Sequence, residues 1–153
     1  MAFIIGRFGA AVEKASVAIA ESVGAKGTIV YQDEPLGTAH AILCAKDSLS
    51  GPAGGGLCRH AVQGSTSRSI RSVPGTIWVQ QVADPRPFGV VKLNEQGRDY
   101  GLRGEAQEFV SDLAIIGIYY FQDGEYLREE LQYLLDNDIK DKGEYQLTNA
   151  LKT

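Results

Sequence analysis

Cysteine is nearly missing. Two residues in 153, Cys44 and Cys58, are too few for a disulfide framework, and no Cys/His spacing resembles a zinc site. A reducing, cytoplasmic setting is the expectation. A basic excess is missing too: 15 Lys and Arg stand against 19 Asp and Glu, for a net charge of −4 and a pI near 5.2. That balance suits neither a nucleic-acid backbone nor an anionic membrane as partner. No apolar run approaches the length of a membrane span. Met1 to Ile5 is apolar but short, lacks a basic leader and meets Gly6-Arg7 at once, so it does not read as a secretory signal. What is present, 44% hydrophobic and 22% charged residues, is the composition of an ordinary globular chain with room for one domain.

Taken in order, Ala2 to Ile5 reads as a buried strand. Ala10 to Val23 reads as a helix with Val12, Ala15, Ile19 and Val23 on one face, closed by Gly24. Gly27 to Tyr31 is a second strand and Ala39 to Asp47 a second helix. Strand, helix, strand, helix implies a parallel, doubly wound α/β sheet with ligands at the carboxyl ends of its strands. Residues 48–74 lose all periodicity. They hold Gly54-Gly55-Gly56, then Cys58-Arg59-His60, then a Ser/Arg-rich string. No Gly-Lys-Ser/Thr follows the glycines and no third ligand accompanies Cys58 and His60, so neither a phosphate loop nor a metal site is read there. Regularity returns with strands at Thr76 to Val82 and Gly89 to Leu93 and a turn at Asn94 to Gly97. Residues 98–107 are again unpatterned. Leu113 to Phe121 is the most apolar strand and is expected at the centre, with Tyr119 and Tyr120 packing on opposite faces. Tyr126 to Leu135 reads as a helix burying Tyr126, Leu127, Leu131, Leu134 and Leu135, and a last helix begins at Gly143, where Glu144 serves as an N-terminal carboxylate.

The stretch between the second strand and helix, Tyr31-Gln32-Asp33-Glu34-Pro35-Leu36-Gly37-Thr38-Ala39-His40, carries the most chemistry. Pro35 presets φ, and Gly37 leaves room for something to approach the main chain. Thr38 is placed to cap the helix, whose first N–H groups suit an anion or another acceptor. Gln32 offers an amide that both donates and accepts, as reading a nucleobase edge requires. His40 is expected to pack or cap within its helix rather than act as a base. An ordinary strand–turn–helix joint accounts for the same spacing.

Gln-x-x-Pro-Leu-Gly-Thr-Ala-His-Ala resembles the base-binding segment of the sugar-phosphate nucleotidyltransferases, the glucose-1-phosphate uridylyl- and thymidylyltransferase family. The resemblance resumes at VADPRPFGVV (82–91), VSDLAIIGIYYF (110–121) and KGEYQLTNA (142–150), in the family's order and at roughly its spacing. It implies a Rossmann-like, doubly wound mixed sheet, and a single partial domain over residues 1–153. It also implies a reaction: a sugar 1-phosphate oxygen attacks the α-phosphorus of UTP or dTTP and pyrophosphate leaves, with Mg2+ as cofactor. By the same resemblance Gln32, Leu36, Gly37 and Thr38 bind the nucleotide, and Phe88, Gly89, Asp112 and Gly117 line the sugar site. Nothing corresponds to the family's glycine-rich triphosphate loop with its catalytic Arg and Lys, so the chain reads as starting after it. No catalytic residue and no metal ligand is assigned. An oligomer is compatible with the sequence.

The two unpatterned stretches fall where the resembled family keeps its chemistry. Written as degenerate codons and read from the second base, Gly54 to Gln63 (GGGLCRHAVQ) permits Val-Val-Val/Gly-Phe-Ala-Asp-Thr-Leu-Phe-Lys, similar to the family's strand ending in a magnesium-binding carboxylate. The same offset over Asp99 to Ala106 (DYGLRGEA) permits Ile-Thr-Asp-Phe-Val-Glu-Lys-Pro, similar to its sugar-phosphate-binding strand. Compensating single-base insertions and deletions would explain both. As written, Arg59 stands where the resemblance expects the metal's carboxylate, and Gly104-Glu105 where it expects Glu-Lys. Both changes reverse a charge, so no turnover is expected of this chain. The alternatives are a non-catalytic nucleotide- or sugar-binding module and a partly folded remnant.

Overall fold

The computed structural model describes residues 1–56, 73–86, 88–94, 99–103 and 111–151. They form two compact units, one of residues 1–50 with 125–150, the other of residues 51–124 with Leu151.

In the first unit, β1 (Ala2–Ile5) and β2 (Thr28–Tyr31) pair in parallel, from Ala2↔Thr28 to Ile5↔Tyr31. Between them runs α1 (Ala10–Ser22). The helix turns inward a different stripe from the expected one. Ala20 is buried and Glu13, Ser16 and Val17 are half-buried, whereas Val12, Ile19 and Val23 are exposed. Two stripes of helical period coexist in this segment, and close approach selects between them. A Cβ at Gly27 would lie 3.0 Å from Val17 Cα and 3.2 Å from Ala20 Cβ, a fit only the smaller face allows. Gly24 (φ 73°) closes α1 as expected, its N–H bonding Glu21 O while Ala25 N–H bonds Ala20 O. The second helix is shorter than its pattern: α2 (Thr38–Cys44) gives way to a 3₁₀ turn at Lys46–Ser48. Later in the chain come α3 (Gly124–Asp136) and α4 (Leu147–Ala150). In α3, Leu127, Leu131 and Leu134 are buried while Tyr126 is 55% exposed. Spacing of four and then three residues makes a single stripe, and Tyr126 lies off it.

The second unit is an antiparallel sheet of β3 (Ala53–Gly56), β4 (Gly75–Gln81), β5 (Val90–Leu93), β6 (Asp99–Arg103) and β7 (Leu113–Phe121). As expected, β7 is central: it pairs with β3, β4 and β5. Tyr119 is buried, stacks on Phe121 at 6.3 Å between centroids, and has its hydroxyl pKa pushed up by burial; Tyr120 on the other face is half-buried. The sheet recruits parts of both stretches that show no pattern. Gly54↔Tyr120 and Gly55↔Tyr119 place β3 on β7, and Val91↔Leu102 places β6 on β5. GGG has no strand propensity and DYGLR has little, Tyr100 being set against Asp99 and Gly101, so the ladder offered by a neighbour makes them strands. The architecture is thus mixed α/β, with a parallel pair and an antiparallel sheet.

Between Ile77↔Tyr119 and Val79↔Ile115 the ladder slips, and in that bulge β7 carries Gly117 at φ 77°. Gly117→Val should cost about 1–3 kcal/mol in urea unfolding, because a β-branched residue resists positive φ. An unchanged midpoint would remove the bulge.

Candidate functional site: the Gln32–Ala39 shelf

The shelf begins at the carboxyl end of β2, where Gln32 N–H bonds Ile5 O at 3.0 Å. Arg7 sits alongside, its Nε 2.7 Å from Asp33 Oδ1 and its guanidinium 4.8 Å from the Tyr31 ring. Both charged side chains are exposed, so the ion pair contributes little. Pro35 centres a three-residue turn closed by Leu36 N–H to Glu34 O at 2.8 Å.

From Leu36 onward the main chain is latched to Tyr145. Tyr145 N–H donates to Leu36 O at 2.8 Å, and Ala39 N–H donates to Tyr145 O at 2.9 Å. Gly37, at φ 111°, lies between these bonds. A Cβ there would meet Tyr145 O at 2.5 Å, Tyr145 N at 2.8 Å and Glu144 Cβ at 3.0 Å. The close approach expected at Gly37 is therefore made by the protein's own backbone. The latch also takes up the Ala39 N–H, one of the donors expected to be exposed at the start of α2.

Thr38 does not cap its own helix. Gly37 is the residue before α2, and no side chain caps there. The Thr38 hydroxyl instead accepts the Leu147 N–H at 2.9 Å and so caps α4, from 109 positions away. The same hydroxyl donates to Gln146 Oε1 at 3.4 Å, and Gln146 Nε2 reaches Glu144 Oε2 at 3.0 Å. Glu144 therefore stands ahead of α4, in the turn closed with Asp141. Thr38→Val should lose about 1 kcal/mol through the uncapped N–H while Thr38→Ser stays near wild type, both read by thermal melts.

Tyr145 itself is buried, and its hydroxyl donates to Asp138 Oδ1 at 2.7 Å, just past the end of α3. Lys140 Nζ lies 2.6 Å from the same oxygen and 4.8 Å from the Tyr145 ring centroid. The Lys140 ammonium and then the Tyr145 hydroxyl hold the Asp138 carboxyl below the usual range. Tyr145 received no role from sequence. Its only signal was its place inside KGEYQLTNA.

Gln32 is half-buried, and its amide nitrogen is fully committed: Nε2 donates to Gly37 O and to His40 Nδ1, each at 3.1 Å. Its oxygen has no hydrogen-bond partner among the described residues and is not a buried orphan. The expected dual donor–acceptor is thus an acceptor alone. His40 Nε2 faces Cys44 Sγ at 4.0 Å, and burial pushes the Cys44 thiol pKa up.

In the second unit, the Val90↔Ala114 pair and the Ile115 N–H to Gly89 O bond at 2.8 Å set Phe88-Gly89 beside β7, with Gly117 two residues beyond Ile115. Phe88 is 42% exposed, so it is not a core aromatic. Asp112 is drawn to β4, where its carboxylate accepts from Gln81 Nε2 and its carbonyl accepts the Val82 N–H. Asp84 and Arg86 form an exposed pair at 2.8 Å that lowers the Asp84 pKa. Arg59, Gly104 and Glu105 lie outside the described residues, as do Cys58 and His60. Among the described residues no three His, Cys, Asp or Glu side chains stand together. No donor set among the described residues therefore offers the several hard oxygen ligands that magnesium needs. No described helix is long and apolar enough to cross a membrane.

No family model matches the chain. A glucose-1-phosphate thymidylyltransferase of Streptomyces antibioticus is 30% identical over 132 residues, covering 82% of this chain and 36% of that protein. A low-salt glycan biosynthesis nucleotidyltransferase of Haloferax volcanii is 27% identical over 136 residues, covering 85% and 37%. The chain thus spans about a third of the length of these relatives. Among solved structures, a UDP-glucose pyrophosphorylase complexed with UDP-glucose superposes with a TM-score of 0.67 at 18% identity, over 99% of this chain and 67% of the other. At that identity the likeness speaks for the fold.

Proposed function

Since the chain belongs to the sugar-phosphate nucleotidyltransferase family, we propose that the Gln32–Ala39 shelf takes the base of a uridine or thymidine nucleotide. Phe88, Gly89, Asp112 and Gly117 take the sugar of a sugar 1-phosphate. The observation that carries this reading is the committed amide of Gln32, which leaves one accessible acceptor at the carboxyl end of a parallel pair, held on a latched backbone.

In the intact family reaction the sugar 1-phosphate oxygen attacks the α-phosphorus of UTP or dTTP and pyrophosphate departs. The work is positioning and charge neutralisation. On this reading the shelf holds the base and the Phe88-Gly89 segment holds the sugar, each by itself. Arg59 and Gly104-Glu105 reverse the signs that neutralisation requires, and the tri-glycine β3 has the composition expected of an overwritten apolar strand. We therefore expect nucleotide binding without turnover, in a domain that is partial over residues 1–153.

Two measurements test this. UTP or dTTP at about a hundredfold its dissociation constant should stabilise the fold by about 2.7 kcal/mol, raising the melting temperature with concentration. Nucleotidyl transfer from labelled UTP to glucose 1-phosphate, with magnesium supplied, should stay at background. Turnover would overturn the inactive reading. A melting temperature blind to both nucleotides would overturn the shelf and favour the partly folded remnant.

A further inference from the structure

The geometry points to His40 as a positioning residue that holds the Gln32 amide with its oxygen outward, so that the shelf favours a ring bearing an N–H donor (uracil or thymine) over cytosine. This rests on the nucleotide-shelf reading above and adds a device that sets its preference.

Three contacts set the amide. A carbonyl oxygen can only accept, so Gly37 O fixes which end of the Gln32 amide faces inward: Nε2, at 3.1 Å. Nε2 has two hydrogens, and His40 Nδ1, also at 3.1 Å, takes the second. A nitrogen that accepts carries no proton, so His40 is the Nε2–H tautomer, and that N–H points at Cys44 Sγ, 4.0 Å away. With both amide hydrogens spent, Gln32 meets a ligand through Oε1 alone, and Oε1 has no competing partner among the described residues. The imide N–H of uracil or thymine donates to such an oxygen. Cytosine presents an acceptor at the same ring position, and two acceptors repel. Without His40, one amide hydrogen is freed and the amide is held by Gly37 O alone, so its orientation is less firmly set.

Nitrogen-15 NMR of the His40 ring in the unaltered chain should show the Nε2–H tautomer; a protonated Nδ1 overturns the proposal and needs no ligand to do so. Dissociation constants for UTP and CTP are then compared in the unaltered chain, His40→Phe and His40→Asn. The unaltered chain should prefer UTP. His40→Phe should shrink that preference about fivefold, the equivalent of one hydrogen bond at about 1 kcal/mol. His40→Asn, whose amide oxygen can stand where Nδ1 lies, should restore it. A folded His40→Phe with the original UTP:CTP ratio overturns the positioning role while leaving the shelf intact. Binding of neither nucleotide by the unaltered chain overturns the shelf itself and the preference with it. Should His40→Phe fail to fold, the tautomer and the His40→Asn ratio decide.

Discussion

Gly37→Ala is expected to destabilise the protein by about 3 kcal/mol and to abolish nucleotide-dependent stabilisation. Two effects add. Holding an alanine at φ 111° strains the backbone, and the new methyl would sit 2.5 Å from Tyr145 O and 2.8 Å from Tyr145 N. Those atoms are main chain, engaged in the two bonds of the latch, so neither can move without breaking it. Gly143 supplies the control: it also has positive φ, 85°, but open space where a Cβ would go. Gly143→Ala should therefore cost only about 1 kcal/mol, the strain part. Equal losses for the two variants in urea unfolding would show that nothing crowds Gly37.

Leu131→Ala should be the most damaging change away from the shelf. Its side chain is fully buried, at 0% exposure, in the Leu127–Leu131–Leu134 stripe of α3. Truncation loses the transfer energy and leaves a cavity, about 2–5 kcal/mol in all. Against a total stability of about 5–15 kcal/mol, that is a large fraction. Leu131→Met should cost under about 1.5 kcal/mol. A denaturation midpoint for Leu131→Ala close to that of Leu131→Met would place Leu131 at the surface.

What could be read from the sequence was local. Leu113 to Phe121 declares itself by an unbroken apolar run, and Gly24 by ending a helical pattern, and both stand where expected. The inward face of α1 was misleading because the more apolar of two stripes lost to the one small enough for Gly27 to approach. β3 and β6 carried no signal, since their pairing is dictated by β7 and β5 and not by GGG or DYGLR. In the site, Gln32, Leu36, Gly37 and Thr38 do come together, but their partners were hidden. Gln32 finds His40 eight positions on, across a turn, and Thr38 finds Leu147 109 positions on. Spacing rules reach three or four residues along a helix and two along a strand. Contacts of that range have no period to reveal them.

The Tyr145 latch has a consequence for how the shelf is born. Gln32 to Ala39 emerges early in synthesis, whereas Tyr145, which bonds the Leu36 carbonyl and the Ala39 N–H, follows Ala39 by 106 residues. Loop closure over that separation costs conformational entropy that is offset only once Tyr145 is in place. The nascent protein can thus assemble its β1–β2 pair while the shelf is still unlatched. A chain stopped just before Tyr145 should lose the bonds to the Leu36 carbonyl and the Ala39 N–H while keeping every strand of the β7-centred sheet.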